Sequence, residues 1–313
     1  MTKQVFGPVP SRRLGQSLGI DPVPLKTCNW NCVYCQLGRT QHFVTQRQSF
    51  FDPNTILDQV KTALDAHAPG EIDWVTFVGS GETALHSELG KLIREVKAIT
   101  TIPVAVITNG SLLYLPEVRE ALLAADAVLP SLDAGNPDLY RRVNRPHPSL
   151  TFERLVNGLI SFRKAYENQL LIEVMLIRGL NDTEQALKEI ARWLEKIQPN
   201  EVHIVQPTRP PVETWVAPPD EEALIRAQAI LGEAAAVVLP AVGSFDFSSE
   251  EDLLDAIIDI ITRHPIKESD LLASLQKWPG VDVDAILNKL HQSEKAKVVS
   301  PYGTRFGPAS EAS

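Results

Sequence analysis

The apolar positions of this chain change their period repeatedly. Over residues 50–65, Ile56, Val60 and Leu64 recur at helical spacing. Trp74-Val75-Thr76-Phe77-Val78 then forms a short, mostly apolar run of the length of a buried strand. Helical spacing returns at Leu92, Ile93 and Val96, followed by a strand-like run at Val104-Ala105-Val106-Ile107. Further strand-like runs are Ala127-Val128-Leu129-Pro130-Ser131-Leu132-Asp133, residues 170–177 and residues 201–206. Amphipathic stretches at 152–165 and 184–197 lie between them. With Ser17-Leu18-Gly19-Ile20 as a first strand, six strands alternate with helices. Such alternation predicts right-handed βαβ units and a parallel α/β sheet. Six units fall short of the eight that close a barrel.

The flanks read differently. Residues 7–14, Gly-Pro-Val-Pro-Ser-Arg-Arg-Leu, carry too much proline for a helix. Pro207, Pro210, Pro211, Pro218 and Pro219, with Trp215 among them, mark a linker or a strap across the sheet. Residues 221–235 read as a helix, and 242–247 close a first domain spanning 1–248. From Ser249 three helical patterns follow: Leu253, Ile257, Ile260 and Ile261; then Leu271, Leu272 and Leu275, stopped by Pro279-Gly280; then Val283, Ile286, Leu287 and Leu290. Residues 298–306 suit a short hairpin. Three helices and a hairpin resemble a winged-helix module over 249–308, with 309–313 expected to be a disordered tail. Many such modules read DNA with the third helix. Here that region sets Asp282, Asp284 and Glu294 against Lys289 and Lys295, so the basic face that phosphate requires is missing. A protein-contact or substrate-recognition role is preferred to DNA binding.

Composition narrows the class. The 313 residues are 44% hydrophobic and 22% charged, the profile of a globular chain with a sizeable core. No apolar run approaches the roughly 18 residues of a membrane span, and residues 1–6 lack the apolar centre of a signal peptide. A formal net charge of −9 argues against general affinity for nucleic acid or membranes. Three cysteines, an odd number, argue against a secreted disulfide scaffold and for a reducing cytoplasm.

Those three cysteines carry the chemistry. Cys28-Asn29-Trp30-Asn31-Cys32-Val33-Tyr34-Cys35 holds all of them within eight positions. Thiolates this close together select zinc, copper(I) or iron–sulfur clusters. A structural zinc site wants four ligands, so a histidine from elsewhere would have to complete it; a redox thiol pair is a further alternative. An iron–sulfur cluster on three thiolates leaves one iron open to another ligand.

The Cys-x-x-x-Cys-x-x-Cys spacing, with aromatic Tyr34 before the third cysteine, resembles the cluster loop of the radical S-adenosylmethionine enzymes. The resemblance covers about residues 15–207 and implies a partial (β/α)6 TIM-like barrel, open on one side. It implies that Cys28, Cys32 and Cys35 ligate a [4Fe-4S] cluster whose fourth iron is chelated by S-adenosyl-L-methionine. Reductive cleavage there yields a 5′-deoxyadenosyl radical that abstracts hydrogen from substrate, using an electron donor such as flavodoxin or ferredoxin. No cysteine remains for a second cluster. Pro8-Val9-Pro10-Ser11-Arg12-Arg13 ahead of the loop looks like a branch labelled iron–sulfur oxidoreductase, related to wybutosine-type enzymes.

Gly79-Ser80-Gly81-Glu82-Thr83 follows a strand directly and resembles the Gly-Gly-Glu-type motif that holds the cofactor's amino group. Ser80 replaces the second glycine, and Thr83 stands where proline is common. The plain alternative is a tight βα turn. Asn109, Ser131 and Asp133 lie at strand ends, where family members touch the ribose and carboxylate of the cofactor. Asn109-Gly110 is also a turn dipeptide, and Asp133 is also a candidate cap for the segment from Asn136.

Other polar residues admit two readings. Arg12 and Arg13 are a clamp for an anionic group or a solvated pair. Lys26 and Arg39 flank the cysteine loop and offset cluster charge or merely face solvent. Glu173, a charge inside an apolar strand, needs a cation or the barrel mouth. Met175 is assigned to the core. His203 is a candidate to face substrate, against the plainer reading of a satisfied histidine. Arg141, Arg142 and Arg145 gather in one loop region. No catalytic residue is assigned. The substrate is a small molecule, a peptide or tRNA; a non-catalytic metal-binding regulator is the alternative from another class.

Overall fold

Hydrophobic strands punctuated by glycine and proline assemble one sheet. The computed structural model describes residues 3–238, 253–263, 266–276, 282–293, 296–299 and 305–308. Eight strands lie in sequence order: β1 (Val5–Ser11), β2 (Gly15–Ile20), β3 (Trp74–Phe77), β4 (Val104–Thr108), β5 (Ala127–Pro130), β6 (Gln169–Met175), β7 (Glu201–Val205) and β8 (Ala235–Val237). The first two form an antiparallel hairpin. Every pairing from β2 to β8 is parallel. Helices α1 (Pro53–Asp65), α2 (Leu89–Ile99), α3 (Pro116–Leu122), α4 (Pro137–Val143), α5 (Phe152–Ala165), α6 (Glu184–Ile197) and α7 (Glu221–Leu231) connect them. Among the described residues the sheet does not close on itself, and β1 and β8 are its edges. This is an open, TIM-like partial barrel.

Local chemistry places the helices. Asp52 caps α1 by accepting from the Asn54 amide, with Pro53 in the first turn. Thr183 caps α6 through the Ala186 amide. Leu18, Val75, Phe77, Val106, Val128, Ile172 and Ile204 from the strands meet Ile56, Leu92, Val96, Leu159 and Ile190 from the helices in one core, with no exposed surface on these side chains. Removing that apolar area from water, at about 25 cal/mol per Å², drives the layers together.

Two strands lie outside the six expected. β1 occupies the proline-rich stretch, which excludes a helix but not an edge strand, where a missing amide donor is tolerated. β8 falls at the end of the stretch expected to be helical. That helix stops at Gly232, whose φ of +100° a side chain would resist, and the chain re-enters the sheet beside β7.

The C-terminal residues form α8 (Leu253–Arg263), β9 (Ile266–Lys267), α9 (Glu268–Leu275), α10 (Val283–Gln292), β10 (Ala296–Val299) and β11 (Arg305–Pro308). The three strands pair antiparallel in the order β10-β11-β9. Ile257, Ile261, Leu271, Leu275 and Leu290 bury one another and share their cluster with Phe6 and Val9 of β1. The expected domain closure at 242–247, the Pro279-Gly280 stop and the 309–313 tail lie outside the described residues. Among the described residues no helix is long and apolar enough to cross a membrane.

Candidate active site

β2 ends at Ile20 and delivers the chain into the cysteine loop. A cavity of about 330 Å³ opens there. Cys28, Cys32 and Cys35 line it, together with Gly79, Ser80, Gly81, Glu82, Asn109 and Ser131. Of the residues expected to touch cofactor, Asp133 is not among those lining it.

The glycine turn after β3 is locked to the cysteine loop by backbone bonds. The Lys26 amide donates to the Ser80 carbonyl at 2.6 Å, and the Glu82 amide to the Thr27 carbonyl at 2.8 Å. A Cβ on Gly81 would lie 1.9 Å from the Thr27 carbonyl oxygen. Glycine is required there because the protein's own loop approaches, whatever ligand approaches as well. Ser80 is buried, with its amide and hydroxyl both donating to Asp21. Glu82 is buried too. It accepts from the Ala84 amide at 2.9 Å, the Asn109 amide at 2.7 Å and the Thr108 hydroxyl. Burial raises its pKa while these donors oppose the shift.

Donors also surround the thiols. The Lys26 ammonium lies 3.2 Å from Cys35 Sγ, and the Trp30 amide donates to Cys28 Sγ at 3.4 Å. Asn144 Nδ2 approaches Cys32 Sγ at 3.8 Å, and Asn109 Nδ2 approaches Cys28 Sγ at 4.0 Å. Burial, and then the Glu82 carboxylate, push the Cys28 thiol up to about 12. Burial and the neighbouring thiols push Cys32 well above the ordinary thiol range. Buried thiols held this high ionise when a metal displaces the proton, and the surrounding N–H groups then stabilise thiolate. Among the described residues no three His, Cys, Asp or Glu side chains are gathered to hold a single ion.

Asp133 supports the loop from behind. Its carboxylate accepts from Tyr34 Oη and Asn144 Nδ2, both at 2.6 Å, and from the Met175 amide at 2.8 Å. It does not cap α4; Asn136 does, accepting from the Leu139 amide. Burial lifts its pKa to about 6 against the pull of those donors.

The remaining candidates divide. Glu173 pairs with Arg13 at the cavity wall, both side chains largely buried. His203 is buried and its Nε2 bonds Glu201 at 2.9 Å, while its Nδ1 has no partner among the described residues; it does not line the cavity. Met175 packs against the core, as expected, and also lines the cavity. Arg39 and Arg145 both pair with Glu213 of the proline-rich segment, whose Val212 amide donates to the Cys35 carbonyl. That segment is therefore a strap against the cysteine loop. Arg141 pairs at the surface with Asp138. Phe6 and Val9 line the cavity and also belong to the C-terminal core. Asn144 was not anticipated from the sequence, where arginines on either side draw attention away from it. Arg209, another lining residue, sits in the proline-rich stretch without a motif.

Three thiols, a glycine turn and a cavity thus meet at the carboxyl end of the parallel strands of an open barrel. The chain belongs to the Radical SAM superfamily, which matches residues 23–194, more than half its length. It is a radical SAM enzyme, and that membership implies S-adenosylmethionine and an iron–sulfur cluster. It is 35% identical over 289 residues to UPF0026 protein MJ1312 of Methanocaldococcus jannaschii, covering 91% of this chain and 89% of that protein. It is 47% identical over 208 residues to a protein named GTPase Obg from Brachyspira hyodysenteriae, but spans only 30% of that protein's length against 66% of its own. Among solved structures, a radical SAM methyltransferase from Sphaerobacter thermophilus superposes with a TM-score of 0.54 at 18% identity, over 71% of this chain and 66% of that one. The last likeness concerns the fold alone.

Proposed function

We propose that Cys28, Cys32 and Cys35 hold a single [4Fe-4S] cluster and that Gly79, Ser80, Gly81, Glu82, Asn109 and Ser131 hold S-adenosylmethionine beside it. One observation carries this reading: the three thiols and the glycine turn face the same cavity and are bonded to each other through Lys26 and Thr27. When bound, this pair of groups supplies a 5′-deoxyadenosyl radical that removes a hydrogen atom from substrate.

The chain's own residues bind, orient and shield. Lys26 sets a positive charge against Cys35 and offsets thiolate charge. Glu82 uses three donors of the protein, and a carboxylate has about four acceptor positions, so one is left for an ammonium group. Asp133 stands behind the loop as a positioning residue, through Tyr34 and Asn144. Phe6, Val9 and Trp30 present apolar wall and exclude water. An external one-electron donor such as flavodoxin or ferredoxin serves the site, and the C-terminal helices act through their contact with β1.

The test is anaerobic reconstitution followed by iron and sulfide analysis and Mössbauer spectroscopy. About four irons and four sulfides per chain are expected, with one iron changing its signal when S-adenosylmethionine is added. Cys28→Ala should lose the cluster. A protein that retains zinc and takes up no sulfide would refute the assignment.

A further inference from the structure

Among the described residues four cations line the cavity: Arg12, Arg13, Lys26 and Arg209. Arg13 is engaged by Glu173. Lys26 lies against Cys35, and Arg209 donates to Gln36 at 2.8 Å. Arg12 differs from these. Its hydrogen bonds run from Nη1 to the Gln206 carbonyl at 3.5 Å and to the Thr208 hydroxyl at 3.4 Å. Both acceptors are neutral and both distances are at the long limit for a hydrogen bond. Among the described residues no carboxylate forms an ion pair with it.

The local charge is unbalanced as a result. Glu173 attracts Arg12 but is bound to Arg13, so among the described residues two guanidinium groups share one carboxylate. Burial and the repulsion of Arg13 draw the Arg12 pKa down to about 10, which still leaves it charged at neutral pH. A half-buried guanidinium with most of its five donors uncommitted is costly to keep. Its planar fork matches carboxylate or phosphate oxygens.

Its place in the fold suits a ligand. Arg12 lies in the turn between β1 and β2, at one edge of the sheet, and reaches the segment that follows β7, next to the other edge. It therefore stands at the open seam of the barrel while its side chain lines the cavity.

We propose that Arg12 is the residue that recognises substrate, and that the substrate carries a carboxylate or a phosphate which pairs with its guanidinium inside the cavity. The proposal rests on reading this cavity as the active site of the radical enzyme. It makes the anionic group, not the hydrogen donor, the handle by which substrate is selected. Arg13 is held back by Glu173 and contributes field without contact.

The test uses reconstituted protein at constant ionic strength, titrated calorimetrically with inorganic phosphate in one arm and acetate in the other. One saturable site is expected for at least one anion, and the preferred arm identifies the substrate's acid group. Arg12→Gln should weaken it by about ten-fold or more, with Arg12→Lys between the two. If Arg12→Gln does not fold, wild-type protein answers instead. Phenylglyoxal labelling of Arg12, mapped by peptide mass, should slow several-fold under the preferred anion while exposed Arg178 is unaffected. No saturable binding of either anion, equal binding by Arg12→Gln, or unprotected labelling would overturn the proposal. Formation of 5′-deoxyadenosine by the wild-type protein is measured separately, so failure of the radical reading leaves a distinct signature from failure of the clasp.

Discussion

The hydroxyl of Tyr34 donates to Oδ2 of Asp133 across 2.6 Å, tying the cysteine loop to the end of β5. The two residues lie 99 positions apart beside Cys32, Asp133 buried and Tyr34 partly so. The brace therefore runs from Tyr34, which lines the cavity, to Asp133, which does not. Tyr34→Phe keeps the ring and removes the donor from a buried carboxylate. It should cost about 1–3 kcal/mol, read from denaturation of cluster-free protein. An unchanged midpoint would show that the brace is dispensable.

Asp133 makes stability depend on pH. Its folded pKa of about 6 is above the ordinary carboxyl value near 3.8, so the folded state favours the protonated form. That contribution is complete below about pH 4 and is lost as pH rises through about 6. A shift of about two units corresponds to roughly 3 kcal/mol. Melting temperatures of the wild type and Asp133→Asn, measured from pH 4 to 7, should converge in shape except for this step, which the variant lacks. A step of equal size in both proteins would assign the titration elsewhere.

Gly81 tests the lock between the glycine turn and the cysteine loop. Gly81→Ala would drive a methyl group into the Thr27 carbonyl, a backbone atom that cannot swing away. A loss of about 1–3 kcal/mol and poor cluster uptake are expected. Gly38→Ala is the control: it has open space around it and a φ of +89°, so only a backbone cost of about 1 kcal/mol applies. Equal effects of the two substitutions would mean that the close approach does not matter.

Arg13 and Glu173 should be coupled. Arg13→Met leaves a carboxylate buried without its cation and should cost about 3–5 kcal/mol. The Arg13→Met/Glu173→Met double variant should recover most of that loss. Additive losses in a double-mutant cycle would contradict the pairing.

The sheet was legible because its parallel strands are buried on both faces and so read as nearly unbroken apolar runs. The three longest helices, α1, α5 and α6, were legible from their periodicity, and α5 and α6 begin and end where the pattern does. β8 was hidden because Ala234, Ala235 and Ala236 continue a helical composition past the glycine that ends α7. The cysteines and the glycine turn were legible as spacing in a short stretch. Their supports were not. Asn144 and Asp133 approach Tyr34 and Cys32 only through packing of α4 against the loop, and residues so distant in sequence leave no local pattern. Arg12 and Arg13 are adjacent and alike in sequence, and both line the cavity; only the fold gives Arg13 a carboxylate and leaves Arg12 without an ion pair among the described residues.

The central claim is that the cysteine loop supports radical chemistry on S-adenosylmethionine. The most direct measurement is chromatography for 5′-deoxyadenosine after anaerobic reconstitution, reduction with dithionite and addition of S-adenosylmethionine. The account predicts that 5′-deoxyadenosine forms in the wild-type protein and is lost in Cys32→Ala. S-adenosylmethionine left intact by protein with a full complement of iron and sulfide would contradict it.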